Sequence, residues 1–295
     1  GLFCRDLKNF NLAKRVFLNL INKFPSSIDP YILFAEILKI ENKFKDAERV
    51  LLKAIKIDPN HGDLLYNLSL LYFALRNFEY ALVYIDKAIK LSINNDIYKL
   101  LKSEIYINKS NIDEALFILD DLNSNNRTKK DNNKEIRINI LLADAFLKKR
   151  KNKEAEIILL KLIKKYQGFE LAYLNLSILY NHKNQLSKSI KILKKGINVS
   201  PNFMPFYKNL ATFYRNSGQL ELAIETNLFI ISRNKFDFNS FYELSGIYDF
   251  KNHKNELNFL LNIKLDKLNP NSKIYAGFAI SNLLHKEGKF KESAK

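Results

Sequence analysis

The sequence predicts an all-α fold, a solenoid of antiparallel helix pairs, and three observations carry that prediction. Only 8 glycines and 6 prolines interrupt 295 residues, too few breakers for a loop-rich or all-β chain. Apolar residues make up 47% of the chain and recur at helical rather than alternating spacing. Most telling, one amphipathic pattern returns at a fixed interval along the whole length.

That pattern is AERVLLKAIKIDPN, beginning at residue 47. Related stretches begin at 81, 115, 155, 189 and 223, so the starts differ by 34, 34, 40, 34 and 34. An earlier copy, AKRVFLNLINKFPS, begins at 13, and a degenerate one, LNFLLNIKLDKLNP, at 257.

Residues 1–27 hold a partial unit. Three units follow over 28–122. In the first of them Tyr31, Phe34, Ala35 and Leu38 follow i, i+3, i+4, i+7 spacing, one face of a helix. A polar turn, Glu41-Asn42-Lys43, separates it from a second helix striped by Phe44, Ala47, Leu51 and Ala54. Pro59, which lacks an N–H, stops that helix. Small residues such as Ala35 and Ala47 let paired helices approach, and large ones such as Tyr31 fill the gaps between them. One such pair cannot bury its apolar faces alone, so the units stack. The unit from 62 to 95 repeats the scheme with Leu65, Leu68, Ser69, Tyr72, Phe78, Ala81, Ile85 and Ala88. The unit from 96 carries Lys102 where Leu is expected, which predicts a first helix shifted by one residue. Residues 123–135, NSNNRTKKDNNKE, read as a solvated insertion loop. Four units fill 136–271, the last of them with Lys254, Leu257 and Lys264 at positions usually apolar, small and small. A truncated unit over 272–295 ends one continuous array.

These residues resemble the tetratricopeptide repeat (TPR) family. Its signature sets a bulky aromatic, Leu-Gly and Tyr in the first helix, then Ala, Phe, Ala and Pro in the second. Here those positions read Tyr173, Leu176-Ser177, Tyr180, Ser189, Leu193, Gly196 and Pro201. In the next unit they read Tyr207, Leu210-Ala211, Tyr214, Gly218 in the turn, and Ala223. The resemblance spans essentially the whole chain. It implies a right-handed superhelical solenoid, with first helices lining an inner groove and second helices on the outer face.

Catalysis finds no support in the residues. His61, His182, His253 and His285 are scattered and form no HExxH pair. No GxxxxGK[ST], GxGxxG or GxSxG occurs, so no loop is built to cradle a phosphate or present a nucleophile. Asp113-Glu114 and Asp120-Asp121 are adjacent, and neighbouring side chains on a helix diverge. Cys4 stands alone: it permits no intrachain disulfide and no cysteine metal cluster, and it suits a reducing compartment such as the cytoplasm. No catalytic residue, metal ligand or cofactor site is therefore expected. No apolar run is long enough to span a membrane. The start, GLFCRDLKNF, lacks an initiator Met and carries charge at Arg5 and Asp6, so it reads as an internal stretch of a longer protein.

Charge is unevenly spread. The net charge is +17, yet residues 1–126 carry only +1 and 221–295 only +2, which leaves +14 on 127–220. No Asp or Glu lies between 171 and 220. The basic candidates Lys148, Lys149, Arg150, Lys151, Lys188, Lys191, Lys194 and Lys195 fall in turns or on second helices, outside the expected groove. They suit an anionic partner: an acidic protein, a membrane surface or nucleic acid. Aromatics do not interleave with them, which argues against a platform for single-stranded nucleic acid.

The groove is expected at first-helix positions two, five, six, nine and twelve of each unit. Position six is Asn at Asn67, Asn175 and Asn209, where amides can pair with the backbone of an extended peptide. This resembles the asparagine ladder of O-linked N-acetylglucosamine transferases, broken here at Leu33, Leu101, Leu141 and Glu243. Tyr66, Leu70, Phe73 and Tyr242 join the predicted groove. Lys208 and Arg215, at positions five and twelve of one unit, are placed to meet a carboxylate or phosphate together.

Three functions fit this reading. The first is a scaffold that binds protein or peptide partners, including acidic ones, in its groove. The second is the non-catalytic arm of a larger enzyme, a sulfotransferase or glycosyltransferase: FAISNLLHKEGKFKESAK resembles the last repeat of bacterial proteins in which TPR units precede a sulfotransferase domain. The third is attachment to an anionic surface through 127–220, which predicts steep salt dependence.

Overall fold

The fold is described from a computed structural model covering residues 10–126, 131–248, 250 and 253–286. Those residues form sixteen α-helices and no strand. The residues pack into two compact units, Gly1–Ala155 and Glu156–Lys295, and each is described in turn. Cys4 lies outside the described residues.

The first unit holds α1 (Phe10–Lys23) and three helix pairs, then α8 and the start of α9. The pairs are α2 (Asp29–Ile40) with α3 (Phe44–Ile55), α4 (Gly62–Ala74) with α5 (Phe78–Leu91), and α6 (Asp96–Lys109) with α7 (Ile112–Asn126). α8 spans Asn132–Lys148 and α9 Asn152–Lys165. The small positions Ala35, Ser69 and Ser103 of the first helices are buried, as are Ala47, Ala54, Ala81 and Ala88 of the second. A larger side chain at these sites would hold the helix axes apart, so the small residues set the spacing and Tyr31, Leu51 and Ile85 fill what remains.

One backbone device marks every regular turn. Asn42, Arg76, Ser110, Arg150, Asn184 and Gly218 all have φ between 56° and 74°, at the same intervals as the repeats. After each, a backbone N–H reaches back to a first-helix carbonyl, as Lys43 to Leu38 and Gln219 to Tyr214 (2.8 and 2.9 Å). This is the Schellman closure, which satisfies carbonyls the ending helix leaves open. Only one of the six positions is glycine.

Two expectations are corrected in this unit. Lys102 does not shift its helix: Ser103 and Ser110 keep the register, and Lys102 extends to Asp86 at 2.7 Å. Its aliphatic stem covers apolar surface while the ammonium finds a partner. The polar stretch 123–135 is helical at both ends, since α7 runs to Asn126 and α8 starts at Asn132. Asp131 caps α8 by accepting from the N–H groups of Asn133 and Lys134 (2.9 and 3.2 Å), so a polar run serves as a helix start. Residues 127–130 lie outside the described residues.

The second unit holds the rest of α9, then α10 (Glu170–His182) paired with α11 (Leu186–Val199), and α12 (Met204–Asn216) paired with α13 (Leu220–Arg233). At Gly196 an added Cβ would lie 2.6 Å from the Phe206 ring, so only glycine allows this approach of α11 to α12. The repeat then breaks. After α14 (Phe238–Ile247) the second helix is reduced to α15 (Lys254–Leu261), and Lys264 lies beyond it. A short 3-10 turn, Leu265–Lys267, leads into α16 (Pro270–Lys286), which packs along α14 through Ala276, Ala279 and Leu283. Phenylalanines 238, 241, 250 and 259 share this core, with Phe241 6.2 Å from both Phe250 and Phe259. The truncated repeat expected over 272–295 is described only as α16; its second-helix segment after Lys286 lies outside the described residues.

Candidate functional site

In the first unit α4 and α6 lie side by side, as do α6 and α8, and α4 carries the expected groove positions Tyr66, Leu70 and Phe73. These three are half-exposed and form an apolar shelf. Tyr66 stacks on Tyr98 with centroids 5.4 Å apart, and the Tyr98 hydroxyl donates to Asp63 at 2.8 Å. Burial, and then the Asp63 carboxylate, push Tyr98 up to about 12. Arg137 of α8 reaches Glu104 of α6 at 3.5 Å, and its charge partly offsets the rise that burial gives the Tyr66 hydroxyl. Farther along α8, burial raises the Asp144 carboxyl, and Lys148 opposes that only in part.

Asn67 departs from the expected exposed amide. It is 93% buried, and its Nδ2 donates to the Asp63 carbonyl at 2.9 Å, while its Oδ1 is enclosed and accepts no hydrogen bond. An enclosed acceptor left this way costs about 1–3 kcal/mol.

In the second unit Asn175 and Asn209 are half-buried on α10 and α12. The expectation that Lys208 and Arg215 meet one ligand anion together is not met by their present partners. Lys208 pairs with Asp237 and Arg215 with Glu243, both supplied by the following repeat. Tyr242 is part of an exposed ring cluster, 6.0 Å from both Tyr275 and Phe278. Periodicity missed the last two, because the repeat breaks before α16.

The basic candidates fall into two sets. Around the α8–α9 turn, Lys149 pairs with Asp113, Lys148 donates to the Ile107 carbonyl at 3.0 Å, and Lys151 lies over the Phe146 ring. Arg150 is exposed and supplies the positive-φ turn residue. In the second unit Lys188, Lys191, Lys194 and Lys195 are exposed on α11. Lys188 and Lys194 rest over the rings of Tyr180 and Tyr214. Glu156 of α9 lies below the usual glutamate range, first through the hydrogen bond from Lys183 and in smaller part through the charge of Lys188.

The histidines do not gather: His61 caps α4 by accepting from Leu64, and His253 bonds the Tyr248 hydroxyl. Among the described residues no three His, Cys, Asp or Glu side chains are placed to hold a metal ion. None of the described helices is long and apolar enough to cross a membrane.

Tetratricopeptide repeat family models match residues 28–61, 50–83 and 171–203. Residues 28–83 and 171–203 thus match tetratricopeptide repeats. The fold of the chain resembles that of yeast Tom70, with a TM-score of 0.72 and 18% identity, over 95% of this chain and 60% of Tom70. A tetratricopeptide repeat protein from Parabacteroides merdae matches at 0.65 with 16% identity, over 87% of this chain and 94% of its own. Among curated proteins, human protein O-mannosyl-transferase TMTC3 is 29% identical over 198 residues, 64% of this chain. The match spans about a fifth of that relative's length.

Proposed function

We propose that this TPR array binds an extended peptide segment of a protein partner across α4, α6 and α8. The observation that carries this reading is the half-exposed shelf of Tyr66, Leu70 and Phe73 around the unpartnered Oδ1 of Asn67. A peptide laid across the shelf places apolar side chains on the rings. With a small turn of the surrounding side chains its backbone N–H reaches Asn67, relieving the enclosed acceptor. Arg137, Glu104 and Asp63 border the shelf and select the flanking charges of the peptide. In the second unit Asn175, Asn209 and the Tyr242 cluster extend the same mode of recognition. Acidic partners are favoured by the net charge of +17. Peptide-display selection against the chain tests this. Affinity for a selected peptide should fall about tenfold or more in Phe73→Ala and Tyr66→Ala, the scale of a lost aromatic anchor. Unchanged affinity in both, with helicity retained, overturns the assignment.

The second reading, a non-catalytic arm of a larger transferase, is favoured by the TMTC3 match, whose name is that of a mannosyl-transferase. It is tested by the reading frame that contains these codons: a transferase domain in the same polypeptide supports it, and a frame without one removes it.

A further inference from the structure

The second-helix face of the second unit differs chemically from the peptide shelf. Lys191, Lys194 and Lys195 stand exposed on α11, and Lys161 and Lys164 on α9. Among the described residues none of these five makes an ion pair, although carboxylates elsewhere in the unit hold Lys183, Lys208, Arg215 and Lys273. Large apolar side chains are exposed on the same two helices: Ile157 is 62% exposed, Leu160 43% and Val199 45%. The repeat interval explains the mixture. Ile157 and Leu160 occupy on α9 the positions that Lys191 and Lys194 occupy on α11, 34 residues on. Both helices therefore turn the same side outward, one contributing apolar bulk and the other charge. The charged face ends at α13, where Glu221 and Glu225 are exposed.

We infer that this α9–α11 face docks on an anionic lipid surface. Several lysines with no protein counter-ion supply the electrostatic attraction, and isolated Ile, Leu and Val side chains can enter the headgroup boundary. A nucleic acid is less well served. The basic residues of the face are lysines, which lack the planar fork for bidentate phosphate contacts, and Tyr180 and Tyr214 are buried beneath lysines rather than presented for base stacking. An acidic polypeptide would gain nothing specific from Ile157 and Leu160. This docking is independent of the peptide shelf.

The test is co-sedimentation of the 295-residue chain with phosphatidylcholine vesicles, with and without about one-third phosphatidylserine. Binding is expected only to the anionic vesicles, and it should fall steeply between roughly 0.1 and 0.5 M salt. K191E/K194E/K195E should weaken it by about tenfold or more. Replacing Ile157 and Leu160 by Ser should weaken it several-fold while leaving any binding to polyglutamate or oligouridylate unchanged. Phe73→Ala should bind vesicles like the parent chain. Circular dichroism confirms folding, and K191Q/K194Q/K195Q serves if the charge reversal misfolds. Absent vesicle binding, or binding unaffected by the lysine substitutions, overturns the proposal. So does an unchanged response to the Ile157 and Leu160 substitutions, which would leave only a general polyanion surface. Loss of vesicle binding in folded Phe73→Ala also overturns it, because the site would then lie elsewhere.

Discussion

The two units share one repeat grammar and use charge in opposite ways. In the first, cations are tied to carboxylates on other elements: Lys14 to Glu41 in a turn, Lys99 to Asp121, Lys102 to Asp86 and Lys109 to Glu79. In the second, Lys191, Lys194 and Lys195 of α11 form no ion pair among the described residues, and no acid occurs from 171 to 220. The units also differ in how they close. The first buries small residues such as Ala35, Ala47, Ser69 and Ala81 where its helices approach, whereas the second ends in a phenylalanine core around a shortened helix. A repeat thus conserves spacing and turn while leaving the outward positions free to diverge.

The largest expected effect lies in that phenylalanine core. Phe241 is fully buried against Phe250 and Phe259, and Phe241→Ala should destabilise the second unit by about 3–5 kcal/mol. Urea titration followed by far-UV circular dichroism reads the loss directly. A change below about 1 kcal/mol would mean the ring cluster contributes little packing. Next comes Gly196→Val, expected to cost about 1–3 kcal/mol by overpacking against Phe206. The paired variant Gly196→Val/Phe206→Leu should recover part of it, and a pair that merely adds would place the strain elsewhere.

How much of this was legible depended on which interval a feature obeys. Helix pairs, buried alanines and their order follow the repeat, so periodicity found them. The turn at Arg150 and Ser110 follows it too, but neither residue type announces a left-handed conformation, as Gly218, Asn42 and Asn184 do. The pairing of Lys208 with Asp237 and of Arg215 with Glu243 joins positions in consecutive repeats, which a reading of one unit at a time cannot show. The Asn67 amide falls at an expected groove position, and its enclosure depends on neighbouring bulk that the repeat does not show. The cluster of Tyr242, Tyr275 and Phe278 arises where the repeat breaks and carries no periodic signal.

The turns sharpen the comparison at a smaller scale. Gly218→Ala places a Cβ at φ 74° and should cost about 1–2 kcal/mol, while Arg150→Gly relieves a φ of 59° and should be neutral or stabilising by up to about 1 kcal/mol. In thermal melts the Gly218 variant should melt below the parent chain and the Arg150 variant no lower than it. A common direction would show that residues other than the turn itself set its conformation.

The smallest effect concerns one carboxylate that the second unit does pair. Glu156 accepts from Lys183 at 2.7 Å and from the Tyr180 hydroxyl at 2.9 Å, and these bonds favour its charged form. A carboxylate held below its unfolded value stabilises the fold above that value, and the contribution disappears as pH falls through the folded value. Glu156→Gln should therefore lower stability at pH 7 by less than about 1 kcal/mol, because the pair is partly solvated. At acid pH below the usual glutamate range the difference from the parent chain should vanish. The same substitution at Glu41, held low by Lys14 and then Lys43, should show the same sign in the first unit. Asp144 should show the reverse, since burial raises its carboxyl and its protonated form is the one the fold favours. Asp144→Asn should thus stabilise the first unit at pH 7 and lose that advantage as pH falls. If all three variants shared one pH profile, net charge rather than local pairing would govern the acid response of both units.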